Sequence, residues 1–254
     1  FLKDDYPIRT FVQWMKAKFD LQLNGDELKE LKTEQIREKL YAEVAEKYTR
    51  REIEYPVEFA MNMAFGPQGV NVYGLDALAT WAKKKYDLDL DPEKLQEIHP
   101  RDIHKQLLEQ SELWNKTKLE DTVNNRIRSA SPETLAEWSK ERFGASLDAA
   151  ALSDKEKAKE LLLEAGRDFL RRELADLERY VLLQIYDSAW KDHLYGMDHL
   201  KESIMLRAYA EKDPKIEYKH EGHRMFNQML ESIEDRVTDI IFRVRLEAGQ
   251  QRRN

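Results

Sequence analysis

Cysteine is absent from the 254-residue chain. That removes disulfide frameworks, thiolate metal centres and thiol nucleophiles, and it fits a reducing compartment. Glycine and proline are sparse, at 9 and 7 residues, too few for the turns of a many-stranded sheet. Together with 36% charged residues this favours an all-α fold. No apolar run approaches the roughly 20 residues that span a bilayer, and no signal-peptide pattern opens the chain. Basic charge is not in excess: the net charge is −7, whereas nucleic-acid binding draws on a basic surface, so nucleic acid is not an expected partner. Arg171-Arg172 is interleaved with acids and reads as a solvated helix face. Also missing are a Gly-x-Ser-x-Gly elbow and a glycine-rich loop ending in Lys-Ser/Thr, so no catalytic residue and no cofactor is assigned to this chain. Phe1 stands where an initiator methionine would, and a piece of a longer protein is expected.

What is present is, first, an internal repeat. Trp14-Met-Lys-Ala-Lys-Phe-Asp-Leu-Gln-Leu23 reappears as Trp81-Ala-Lys-Lys-Lys-Tyr-Asp-Leu-Asp-Leu90. Apolar residues then follow at matching offsets, Leu28, Leu31, Ile36 and Leu40 against Leu95, Ile98, Ile103 and Leu107. A weaker third copy starts at Trp138, with Phe143, Leu147 and Leu152 in register. Each copy reads as helix, loop, helix, with Asn24-Gly25, Asp91-Pro92 and Gly144 as turn or capping signals. The three tryptophans are expected to pack the interiors of their units. Gly66-Pro-Gln-Gly69 and Ser129-Ala-Ser-Pro132 separate the units, which run over about 6–65, 70–128 and 131–152. Residues 1–152 thus form one repeat region and 153–254 a second segment. In that second segment a capping box of Ser153 and Glu156 opens a helical pattern that continues to Arg207, with a bend or break near Gly166.

The second segment is dominated by two matched stripes. Tyr186, Trp190, His193, Met197, Leu200 and Ile204 follow one another at spacings of 4 and 3, and Phe226, Leu230, Ile233, Val237, Ile240 and Val244 do the same, the rhythm of a coiled-coil seam. Between them Asp213-Pro214 supplies an N-cap and a proline that suits a first helical turn but cannot continue an incoming helix. One helix must end near Arg207 and another start at Pro214, which makes a long antiparallel hairpin with its tip at about 207–214. Roughly thirty residues per arm give a rod of about 45 Å. The seam is expected to comprise Trp190, His193, Met197, Leu200, Ile204, Phe226, Leu230 and Ile233, with Trp190 packing across it near Phe226 to Ile233. Met205, Leu206 and Tyr209 lie at the end of the rod, where little core can cover them, and such an apolar cluster marks an interaction site.

Residues Val181-Leu-Leu-Gln184, Asp187, Trp190-Lys191, His193-Leu194, Met197-Asp198, Leu200, Ile204, Leu206-Arg207, Tyr209-Ala210, Lys212-Asp-Pro-Lys215, Glu217-Tyr-Lys219, Glu221-Gly222 and Phe226 together resemble the helical scaffold of SecA, the ATP-driven motor of bacterial preprotein export. The likeness runs from about Val181 to Arg245. It departs at Ser203 and Ala208, where the family usually has glycine, and at Met205, Glu211 and His220. Tyr86-Asp-Leu-Asp-Leu90 and its flanks resemble, more weakly, the family's helical wing, here expanded by extra copies. The resemblance implies that the hairpin is the two-helix finger, whose tip, Met205, Leu206, Arg207, Ala208, Tyr209 and Ala210, contacts preprotein and the SecYEG channel, with Tyr209 against the translocating chain. It also implies upstream nucleotide-binding domains in the same chain that use ATP and Mg, a cytoplasmic location peripheral to the inner membrane, and acidic phospholipid as a further partner.

Two other readings stand beside it. The repeats could form a helical adaptor that binds a partner in a groove, with no motor role. A helical metalloenzyme could use His193, His199, His220 and His223 with Glu217, but His220-Glu-Gly-His223 lacks the i, i+4 spacing of a zinc helix, and packing or solvated roles are expected for these rings.

Overall fold

The computed structural model describes residues 5–66, 69–207 and 213–244, and almost all of them are helical. The described chain divides into two compact units, one of 5–45 with 176–207 and 213–244, the other of 46–175. This division by contacts differs from the sequence division at 152/153, because two long helices each run through a unit boundary: α3 (Thr33–Ala64) and α10 (Arg172–Arg207).

The first unit opens with α1 (Tyr6–Phe19) and the short α2 (Gly25–Lys29), leads into α3, and is completed by the later part of α10 and by α11 (Pro214–Arg243). Met15 and Leu28 are its deepest N-terminal side chains.

The second unit starts within α3, where Pro56 sits inside the helix. Proline cannot donate to the carbonyl one turn back, and the buried Ser111 hydroxyl donates to the neighbouring Ile53 carbonyl at 2.8 Å. The Gly66 to Gly69 boundary contributes a two-residue antiparallel strand pair, β1 (Phe65–Gly66) with β2 (Gly69–Val70). Beyond it follow α4 (Val72–Tyr86), α5 (Pro92–Leu95), α6 (Pro100–Leu113), a π-helical turn at Trp114–Lys118, α7 (Leu119–Ser129), α8 (Pro132–Phe143) and α9 (Lys155–Leu170). One cluster joins Val57, Ala60 and Ala64 of α3 to Leu75, Leu78, Leu95, Ile103 and Leu107. A second gathers Tyr86, Trp114, Val123, Phe143, Leu162 and Phe169.

The repeat is a structural module in all three copies. Its tryptophan meets the aromatic residue five positions on, edge-on or nearly so, in Trp14–Phe19, Trp81–Tyr86 and Trp138–Phe143, at 5.9, 5.3 and 5.0 Å between ring centres. The next residue closes the helix in the left-handed conformation: Asp20 (φ 53°), Asp87 (φ 55°) and Gly144 (φ 73°). Ten residues after each tryptophan, Asn24, Asp91 and Asp148 accept from the backbone N–H two residues further on, each at 3.1 Å. Fourteen residues after it, Leu28, Leu95 and Leu152 are each 2% exposed.

Four expectations change. The tryptophans are not core residues: Trp14 is 49% exposed and the other two are half-buried, because each ring covers the helix end while the +14 leucine fills the interior. The cap of α9 is Asp154, whose Oδ1 accepts from Glu156 N–H at 3.0 Å, rather than Ser153. The helix breaks at Arg171, not at Gly166, which is buried inside α9 where a Cβ would stand 2.4 Å from Leu119 Cδ1. Nor is Arg171-Arg172 simply a solvated face, although Arg172 is exposed. Arg171 reaches Tyr48 Oη at 2.6 Å and Glu52 at 3.1 Å, and Arg172 donates to the Phe143 carbonyl at 2.8 Å.

Candidate functional site

The hairpin of α10 and α11 carries the candidate residues. Its ends follow from local chemistry. The last helical residue of α10 is Arg207, and α11 begins at Pro214 behind Asp213, whose Oδ1 accepts from Lys215 N–H at 2.9 Å. Met205, Leu206 and Arg207 close the last turn of α10, while Ala208, Tyr209 and Ala210 fall outside the described residues. Ser203 turns its hydroxyl back to the Leu200 carbonyl at 2.9 Å.

Between the arms the inner face keeps part of the expected seam and departs from it at the large residues. Leu200, Ile204 and Ile233 are buried, but Trp190, Phe226 and Leu230 are exposed at 37%, 37% and 38%, with His193 and Met197 half-buried. The buried positions of α10 above the tip are Val181, Ile185 and Ala189, and those of α11 include Gly222, Met229, Ile241 and Phe242. Small residues let the arms approach. A Cβ at Gly196 would stand 2.7 Å from Met225 Cε, and a Cβ at Gly222 would stand 2.8 Å from Met197 Cε. The glycines thus make reciprocal notches, each filled by a methionine of the opposite arm. The signal in the sequence was the run Val181, Ile185, Ala189 with Gly196 and Gly222, which the larger aromatics outweighed.

The displaced aromatics form a ladder along one edge. Tyr186 stacks on Trp190 at 6.3 Å, Trp190 meets His193 at 5.7 Å, and His193 meets Phe226 of the other arm at 5.8 Å. Trp190 therefore approaches the second arm through His193 rather than lying in the seam. On the outer surface of α11 Arg224 pairs with Glu221, and that carboxylate raises the guanidinium pKa further. His223 Nε2 lies 3.2 Å from Asn227 Nδ2. Among the described residues no three His, Asp or Glu side chains are grouped to hold a metal ion, and no helix is long and apolar enough to cross a membrane.

Residues 83–245 match the family model described as the SecA wing and scaffold domain. Protein translocase subunit SecA 1 of Rhodopirellula baltica is 31% identical over 267 aligned positions, covering 96% of this chain and 22% of that protein. Protein translocase subunit SecA of Desulforapulum autotrophicum is 40% identical over 136 positions, 52% of this chain and 15% of that protein. The Desulforamulus reducens SecA subunit is 51% identical over 89 positions, 35% and 10% respectively. The chain thus spans about a fifth or less of the length of these relatives.

Proposed function

The chain belongs to the SecA wing and scaffold family, and from that membership we propose that it is the wing and two-helix finger of an ATP-driven protein-export motor. ATP and magnesium are then handled by nucleotide-binding domains elsewhere in the parent chain, and the finger conveys their movements to a preprotein at the SecYEG channel. The site of action is cytoplasmic, at the inner membrane surface, with acidic phospholipid as a further partner. What carries the reading is the hairpin inside the matched span. α10 stops at Arg207 and α11 restarts at Asp213-Pro214, and in this reading the working end is the stretch 208–212, which includes Tyr209. An aromatic ring suits that end because it grips varied sequences by area, with no matched hydrogen-bond pattern.

The test is Tyr209→Ala in the full motor. Translocation should fall sharply while basal ATP hydrolysis and helix content stay unchanged. Another bulky apolar residue at 209 should restore part of the rate. Translocation by Tyr209→Ala at the native rate would overturn the finger assignment.

A further inference from the structure

The first repeat copy packs on the second hairpin arm, α11, whereas the second and third meet the start of α10 at Glu173 and Arg172. In its own unit α1 packs on α11, joining positions 217 residues apart. Phe19 meets Phe242 edge-to-face at 5.2 Å. One helical turn and two turns back along the same face of α11 stand Asp239 and Asp235, and Lys18 Nζ lies 4.0 Å and 2.6 Å from their carboxylates. The Lys18 side chain is only 12% exposed, and its ammonium lies 5.5 Å from the Trp14 ring centre. Met15, Ile241 and Phe242 are buried.

The basic residue four positions after the tryptophan is the docking group of every copy. In the second copy Lys85 pairs with Glu173. In the third Arg142 donates to the Lys84 carbonyl and, at 3.1 Å, to that of Lys85. In the first copy the same position, Lys18, is spent on the second hairpin arm. Residues 5–45 lie before the span that matches the wing and scaffold family, which begins at residue 83, yet 96% of the chain aligns with the Rhodopirellula relative.

We propose that α1 is a strap holding the root of the second hairpin arm, with Lys18 as an electrostatic latch on Asp235. The apolar contacts set the position of the strap. The latch sets how tightly it closes, because a charge pair with one water-exposed member responds to salt where the buried rings do not. The strap does not depend on what the tip touches, so it stands or falls apart from the finger role.

The absence of cysteine makes the test direct. In the 254-residue chain, Gln13→Cys and Arg236→Cys at exposed positions carry paired spin labels, while hydrogen exchange is followed over residues 229–243. Lys18→Glu should lengthen and broaden the label distance and speed exchange in that segment roughly three- to tenfold, leaving residues 72–170 unchanged. Adding Asp235→Lys should restore both readouts. Lys18→Met, which keeps the stem over Trp14, should retain the fold and abolish the salt dependence of exchange in 229–243. An unchanged distance and exchange rate in Lys18→Glu would overturn the strap. So would a rise across the whole chain that the charge swap fails to reverse.

Discussion

Lys85 and Glu173 form an ion pair almost out of reach of water, with side chains 3% and 13% exposed, and Trp81 Nε1 donates to the other oxygen of the same carboxylate at 2.7 Å. A buried pair of this kind adds little net stability, since desolvation offsets attraction, but breaking it leaves a buried charge unmatched. Glu173→Leu should therefore cost about 3–5 kcal/mol in urea unfolding, while Lys85→Met with Glu173→Leu should recover most of that loss. A single substitution costing under about 1 kcal/mol would mean that water reaches the pair.

Two glycines should answer alanine to very different degrees. A Cβ at Gly74 would stand 2.1 Å from the Met63 carbonyl oxygen, and backbone cannot swing aside, so Gly74→Ala should cost on the order of 3 kcal/mol or more. At Gly222 the obstacle is Met197 Cε, the free end of a flexible side chain. There the strain is offset by the roughly 1 kcal/mol that alanine adds to a helix, so Gly222→Ala should change stability by less than about 1 kcal/mol. Thermal melts of the two variants compare them directly.

Tyr86 predicts an alkaline limit. Burial pushes its phenol pKa well up, so the folded state holds the proton more tightly than the unfolded state, whose phenol titrates near 10. This stabilisation is fully present below about pH 10 and is lost as pH rises above it toward the higher folded value. The hydroxyl is buried with no close hydrogen bond, interacting only weakly with Ser111, so Tyr86→Phe should be neutral or stabilising at pH 7. It should also flatten the loss of stability above pH 10 in unfolding curves.

Within the repeat, stability should follow the leucine rather than the tryptophan. Leu95→Ala and Leu152→Ala empty fully buried sites and should cost about 2–5 kcal/mol each. Trp14→Ala exposes a ring already half in water and should cost closer to 1 kcal/mol. Equal losses at Trp14 and Leu95 in urea unfolding would contradict the half-exposed placement of the tryptophan.

Features governed by neighbours along the chain were legible in the residues alone. The stop at Arg207 and restart at Asp213-Pro214 needed only a cap and a proline, and the repeat was readable from its tryptophans and the apolar residues at matching offsets after them. Periodicity also separated helix from strand throughout, apart from the two-residue pair at Phe65–Gly66 and Gly69–Val70, whose hydrogen bonds are too few to leave a pattern.

What periodicity could not decide was which of two apolar faces turns inward. On the hairpin the wide aromatics Trp190 and Phe226 scored as seam, but close packing of two helices favours the side where Gly196 and Gly222 let the backbones approach, leaving the aromatics at the edge. The break at Arg171 likewise depends on Tyr48, Glu52 and Phe143, all distant in sequence. The sequence by itself determined the helices, the threefold module and the hairpin with its ends at Arg207 and Pro214, because those rest on backbone preferences satisfied within a few residues. Only the tertiary structure decided that Lys85 meets Glu173, that Lys18 reaches Asp235 across 217 positions, and which face of each arm is dry, because those contacts exist only after the chain has closed long loops and excluded water between particular surfaces.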